Sequence, residues 1–204
     1  MSRLTGPRIL ALAFGLLYAI FWFWYGGAGR PLSDAEIARY MARLDALAAG
    51  EQSPLGLRGP LEAWARADDG REFFMVNLID DPADPAAANA YNRVILPELI
   101  KRGGVPVFIS RPFARFIEPA GLEGWDQVAI VRYRSLRDLL DMITAPGSED
   151  IKHLKEASVS KTHVFPTHAV FSFIWMRFIA AVLLAMFGIA LHVVLRRFDW
   201  YVRA

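Results

Sequence analysis

Apolar residues run along this chain in three rhythms, and each predicts a different kind of element. At the two ends the rhythm is continuous. No charged residue occurs from Ile9 to Tyr25 or from Phe178 to Leu195, and at 1.5 Å per residue each run reaches roughly 26 Å, close to the depth of a bilayer's hydrocarbon. Transmembrane helices are therefore expected over 8–26 and 170–196. In the first, Ala11, Gly15 and Ala19 recur at every fourth position, a spacing that lets another helix approach closely. Phe21, Trp22, Phe23, Trp24 and Tyr25 then form an aromatic belt before Gly26 and Gly27 end the helix. A basic start, an apolar run and small residues up to Ala28 also suit a cleavable signal peptide. Five consecutive aromatics are an unusual end for a signal core, so a retained anchor is the reading adopted.

The second rhythm is helical. Ser33 and Glu36 have capping-box spacing, and Ile37, Tyr40, Met41, Leu44, Leu47 and Ala48 follow on one face until Gly50. This amphipathic helix and its linker occupy 31–59. A short helix carrying Trp64 is expected over Leu61 to Asp68, with Gly70 as the turn that follows it. Asp84 and Pro85 give a cap with proline in the first turn for a helix running to Lys101, which Pro97 should kink or restart. Ser135 and Asp138 repeat the capping logic before Leu136, Leu139, Leu140 and Ile143. One or two more helical turns are expected around Ile151 and Leu154.

The third rhythm is that of strands. Between Arg71 and Ile79, Phe73, Met75 and Ile79 are apolar on one face and Phe74, Val76 and Leu78 on the other, so both faces need cover. Three more strands are expected: Val105 to Glu118, interrupted by Pro112, which implies a bulge or an edge position; Trp125 to Tyr133; and Lys161 to Ala169, running almost directly into the second membrane helix. Strand, helix, strand, strand, helix, strand over 60–169 is the ferredoxin-like order, an α+β antiparallel sheet with helices on one face. The other face would be covered by the same sheet of a second chain, or by the amphipathic helix of 31–59.

Charge adds an orientation. Residues 30–169 carry net −3 and the ends net +5, with Arg3, Arg8, Arg196, Arg197 and Arg203 on short membrane-flanking tails that favour the cytoplasm. Both termini are then cytoplasmic and the middle lies across a bacterial inner membrane, with lipid as the first partner and no nucleic acid. The absence of cysteine excludes disulfides, thiolate metal sites and a cysteine nucleophile. No phosphate loop, nucleophile elbow or His-Glu-x-x-His motif is present, so no cofactor is expected.

Candidate chemistry rests on polar groups set on strands: Asn77, Arg111, Arg115, Trp125, Arg132, Tyr133 and His163. Asn77 is the one polar side chain inside the central strand and must find a partner or line a ligand site. Arg111 and Arg115, four apart, could face a carboxylate or enolate, or be solvated partners of Asp126 and Glu118. His163 and His168, five apart, fall on opposite faces of a regular strand, so no metal site is expected. Arg177 lies inside an apolar run, where it either snorkels to the aromatic belt or meets a partner membrane protein.

Arg71 to Leu78, Gly103 with Gly104, Trp125 to Val128 and Val131 to Ser135 resemble an uncharacterised family of dimeric α/β-barrel proteins. That family is related at fold level to cofactor-independent antibiotic-biosynthesis monooxygenases, muconolactone isomerases and haem-handling barrels. The resemblance covers roughly Pro60 to Val170, departs from it at Arg134, where proline is expected, and implies a homodimer with a pocket between sheet and helices. Ligand-binding residues would be Asn77, Arg111, Trp125, Tyr133 and His163, around a small apolar or anionic ligand, with cofactor-independent oxygenase or isomerase chemistry. The alternative is a non-catalytic accessory subunit of a larger membrane complex.

Overall fold

The computed structural model describes residues 6–27, 29–48, 58–114, 116–117, 124–145, 148–172 and 175–198. It divides into two compact units, Met1–Gly26 with Phe171–Ala204, and Gly27–Val170.

The first unit holds two helices, α1 (Gly6–Gly26) and α7 (Met176–Arg197), both long and apolar enough to cross a membrane. They touch where Phe14 meets Phe187, ring centroids 5.8 Å apart. Gly188 lies beside them, where a Cβ would meet the Phe14 ring in ordinary van der Waals contact at 3.4 Å. Leu12, Leu16, Phe23, Leu183, Met186 and Ile189 are exposed, as suits side chains facing lipid. The second helix begins at Met176 rather than near 170, and irregular residues separate it from the preceding strand, so the expected direct strand-to-helix join is not found.

In the second unit come α2 (Asp34–Ala48), α3 (Arg58–Arg66), β1 (Phe73–Asp80), α4 (Pro85–Lys101), β2 (Val105–Ser110), β3 (Gln127–Tyr133), α5 (Leu136–Ile143), α6 (Ser148–Ala157) and β4 (Lys161–Thr167). The strands form one antiparallel sheet in the order β2-β3-β1-β4. The register aligns Phe73 with Tyr133, Met75 with Val131 and Asn77 with Ala129. Phe73, Met75, Val131 and Tyr133 join a core with Ile37, Tyr40 and Met41 of α2, Ala65 of α3, Ile95 and Leu99 of α4, and Leu136 and Leu140 of α5. All the core helices thus lie against one sheet face. The amphipathic α2 belongs to that side, because Tyr40 donates to Asp141 at 2.7 Å beside α5, so it does not cover the other face. That face carries Phe74, Val76, Leu78, Val128, Ile130, Phe108, His163 and Phe165, none of which belongs to the core.

Local signals acted where their partners are local. The Asp84 side chain accepts from Ala86 N–H, with Pro85 opening α4. Ser135 Oγ accepts from Asp138 N–H. Pro97 does not restart α4, which is continuous to Lys101. Its ring is on the exposed side, where a carbonyl left without a donor can bond water. β2 ends at Ser110, eight residues short of expectation, and its register shift lies between Pro106 and Phe108 instead of at Pro112. Its edge position is as the sequence suggested. The Gly121 to Glu123 part of the expected turn, with Arg115 and Glu118, lies outside the described residues. Gly70 takes φ 73°, and a Cβ there would sit 2.3 Å from the Arg30 carbonyl carbon.

Glu36 ties several of these pieces together. Its carboxylate accepts from Ser33 N–H at 2.9 Å and Ser33 Oγ at 2.8 Å, from Arg30 at 3.1 Å, and from Arg137 of α5. The Ser33 backbone bond, then the Ser33 hydroxyl, hold its pKa down from 4.5 to about 2. Stability from a depressed carboxylate is full above the unfolded value and is lost as pH falls through the folded one. Wild type should therefore lose a stability advantage over Glu36→Gln between pH 4.5 and 2, read as converging thermal midpoints, whereas parallel curves would contradict the tie.

Candidate functional site

The polar strand residues do not converge. Asn77 and Tyr133 share the helix-facing side of the sheet but stand four residues apart along it, roughly 13 Å. His163 pairs with Leu78 on the opposite face, its ring 5.1 Å from that of Phe165. Arg111, beyond the end of β2, donates to Asp81 at 2.7 Å and is largely exposed. Trp125, ahead of β3, lies 4.6 Å beneath the Lys161 ammonium. Arg132 is buried at 1% exposure, its Nε donating to Glu72 at 2.8 Å and Nη1 to the Gly103 carbonyl at 3.0 Å. That contact fixes the corner where α4 turns into β2, since leaving such a charge unpaired would be strongly unfavourable.

Asn77 spends its amide on the sheet itself, its nitrogen donating to the Met75 carbonyl at 3.1 Å and the Ala129 carbonyl at 3.3 Å. Backbone pairing thus accounts for the nitrogen of this polar side chain in an apolar strand.

A different set of groups does come together between helices and sheet. Tyr91 of α4 and Tyr133 of β3 pack against the core, and the Lys155 ammonium of α6 sits 5.1 Å over the Tyr91 ring. Burial pushes the Tyr91 phenol up to about 12 and raises Tyr133 as well, with Tyr91 adding to the shift of Tyr133. Burial alone pulls Lys155 down from 10.5. All three nevertheless keep accessible surface, and among the described residues neither hydroxyl nor the ammonium has a hydrogen-bond partner. Groups that are desolvated and without a hydrogen-bond partner are candidates for contact with a ligand. A flat apolar body could stack on the Tyr91 ring and place an anionic oxygen against Lys155. Glu156, the next residue of α6, has a buried Oε1 without a hydrogen-bond partner.

In the sequence Tyr91 is one more apolar position of its helix. Lys155 carries one signal in the sequence: four residues after Ile151, it sits on the apolar stripe of its helix, where a charge is out of place.

No family model and no curated protein matches the sequence. The fold is similar to that of the RPA0582 protein, of unknown function, from Rhodopseudomonas palustris, with TM-score 0.50 and 22% identity over 60% of this chain and 97% of that one. A methylated form of the RPA0582 protein aligns with TM-score 0.49 at 22% identity, over 60% of this chain and 96% of that one. The likeness places this chain in a class of α+β folds with a four-stranded antiparallel sheet.

If Asn77 is structural, Asn77→Leu should lower stability by about 1–2 kcal/mol, two modest hydrogen bonds' worth. Urea unfolding would measure it, and an unchanged midpoint would return Asn77 to the list of ligand contacts.

Proposed function

We propose that this protein is a membrane-anchored ferredoxin-like domain, held on the extracytoplasmic side of a bacterial inner membrane, that binds a small apolar anion beside Tyr91 and Tyr133. The carrying observation is Lys155, a cation desolvated against an aromatic ring with no carboxylate partner among the described residues. A cation in that setting favours a ligand that brings its own negative charge. The order β2-β3-β1-β4, with helices α4 and α5–α6 as crossovers, supports the ferredoxin-like reading. The basic tails support cytoplasmic termini. The uncovered apolar sheet face supports a homodimer formed sheet to sheet. Cofactor-free oxygenase or isomerase chemistry on an aromatic or enolic acid would use this same site, with Lys155 stabilising the developing oxyanion.

A second reading, an accessory subunit of a larger membrane complex, is favoured by the commitment of Asn77 to backbone and by the outward apolar faces of α1 and α7. Thermal-shift measurements with benzoate, 4-hydroxybenzoate, a quinone and haem separate the two. Under the binding reading an aromatic acid at a hundredfold excess over its Kd stabilises the wild type by about 2.7 kcal/mol, and most of that is lost in Lys155→Met. The shift also fades as pH rises toward, and at a value below, 10.5, the ordinary value from which Lys155 is lowered. No shift with any of these probes would make the accessory reading the first choice.

A further inference from the structure

We propose that Arg177 and the aromatic belt of α1 form a binding site for the phosphate of an anionic phospholipid. The inference rests on the membrane reading above and goes beyond it by naming a ligand and a position. Arg177 lies in the first turn of α7. Its guanidinium carbon is 4.5 Å from the Trp22 ring centroid and 5.6 Å from that of Tyr25, and Nη2 sits 3.0 Å from where a Cβ on Gly26 would be. Gly26 thus leaves room for the guanidinium, and the Tyr18 hydroxyl steadies the turn by donating to the Arg177 carbonyl at 3.4 Å. The rings hold the cation by its face. Its in-plane N–H groups have no acceptor among the described residues, and Nε is buried without a hydrogen-bond partner.

A guanidinium presents parallel N–H groups to two oxygens of one phosphate. The chain places this one at the end of both apolar runs, among tryptophan and tyrosine, the level at which lipid headgroups lie. The shared chemistry is a phosphate oxyanion, and the position selects a phospholipid over a soluble anion. A headgroup with its own quaternary ammonium would compete for the same rings, so an anionic headgroup such as phosphatidylglycerol is preferred to phosphatidylcholine.

The test uses the full chain in nanodiscs of phosphatidylcholine with or without phosphatidylglycerol, followed by native mass spectrometry of lipid retained on release. The expected result is phosphatidylglycerol retained by wild type, with retention about tenfold weaker in Arg177→Gln. Arg177→Lys, which keeps the charge and loses the fork, should also be clearly weaker. Should Arg177→Gln fail to fold by circular dichroism, Trp22→Leu removes the larger ring support, and its expected result is the same direction of loss. Equal retention by wild type and the folded variants, or equal retention of the two lipids, overturns the proposal. Displacement by millimolar inorganic phosphate assigns a soluble ligand instead and also overturns it. Release of the wild-type chain from membranes by alkaline carbonate would be the separate failure of the membrane reading, taking this site with it.

Discussion

The central strand is apolar on both faces, and among the described residues the core helices cover only one. Phe73 and Met75 are enclosed by α2 to α5, while Phe74, Val76 and Leu78 join Val128, Ile130, Phe108 and Phe165 in a sheet face that belongs to no core. Apolar area left in water forgoes about 25 cal/mol per Å², and contiguous patches of this kind mark interaction surfaces on soluble domains. The arrangement of the rest follows. The core helices gather on one side, and at the corners and strand ends Arg132 meets Glu72 and Arg111 meets Asp81.

The helix-side layer is in turn tied together by several engaged charges. Glu36 collects donors from its own cap, from Arg30 and from α5, and Tyr40, buried at 1% exposure, ends on Asp141. Against that background Lys155 stands out. It is desolvated over Tyr91, with no carboxylate partner among the described residues. That combination is what the proposed ligand site rests on.

Elements specified by neighbours in sequence were legible from the sequence. The caps at Ser33, Asp84 and Ser135 need only residues two or three positions away, and the two long apolar helices need only their own composition. The end of β2 was not legible, since it depends on where β3 stops offering partners. The site was the least legible part. Asn77 looked like a ligand contact because an amide among apolar residues needs hydrogen bonds, and the sequence cannot tell that strand carbonyls two residues away and across the sheet supply them. Tyr91, Tyr133 and Lys155 meet only through the stacking of α4 and α6 and their placement on the sheet, a long-range event with a single local trace, the lysine on an apolar stripe.

The claim that the second sheet face is covered by another copy is most directly tested by solution NMR of the methyl-labelled full chain with a water-soluble paramagnetic agent. The account predicts that the Val76, Leu78, Val128 and Ile130 methyls are as protected as that of Val131 at high protein concentration and become attenuated on dilution. Methyls that are attenuated at every concentration, in a folded protein, would contradict it.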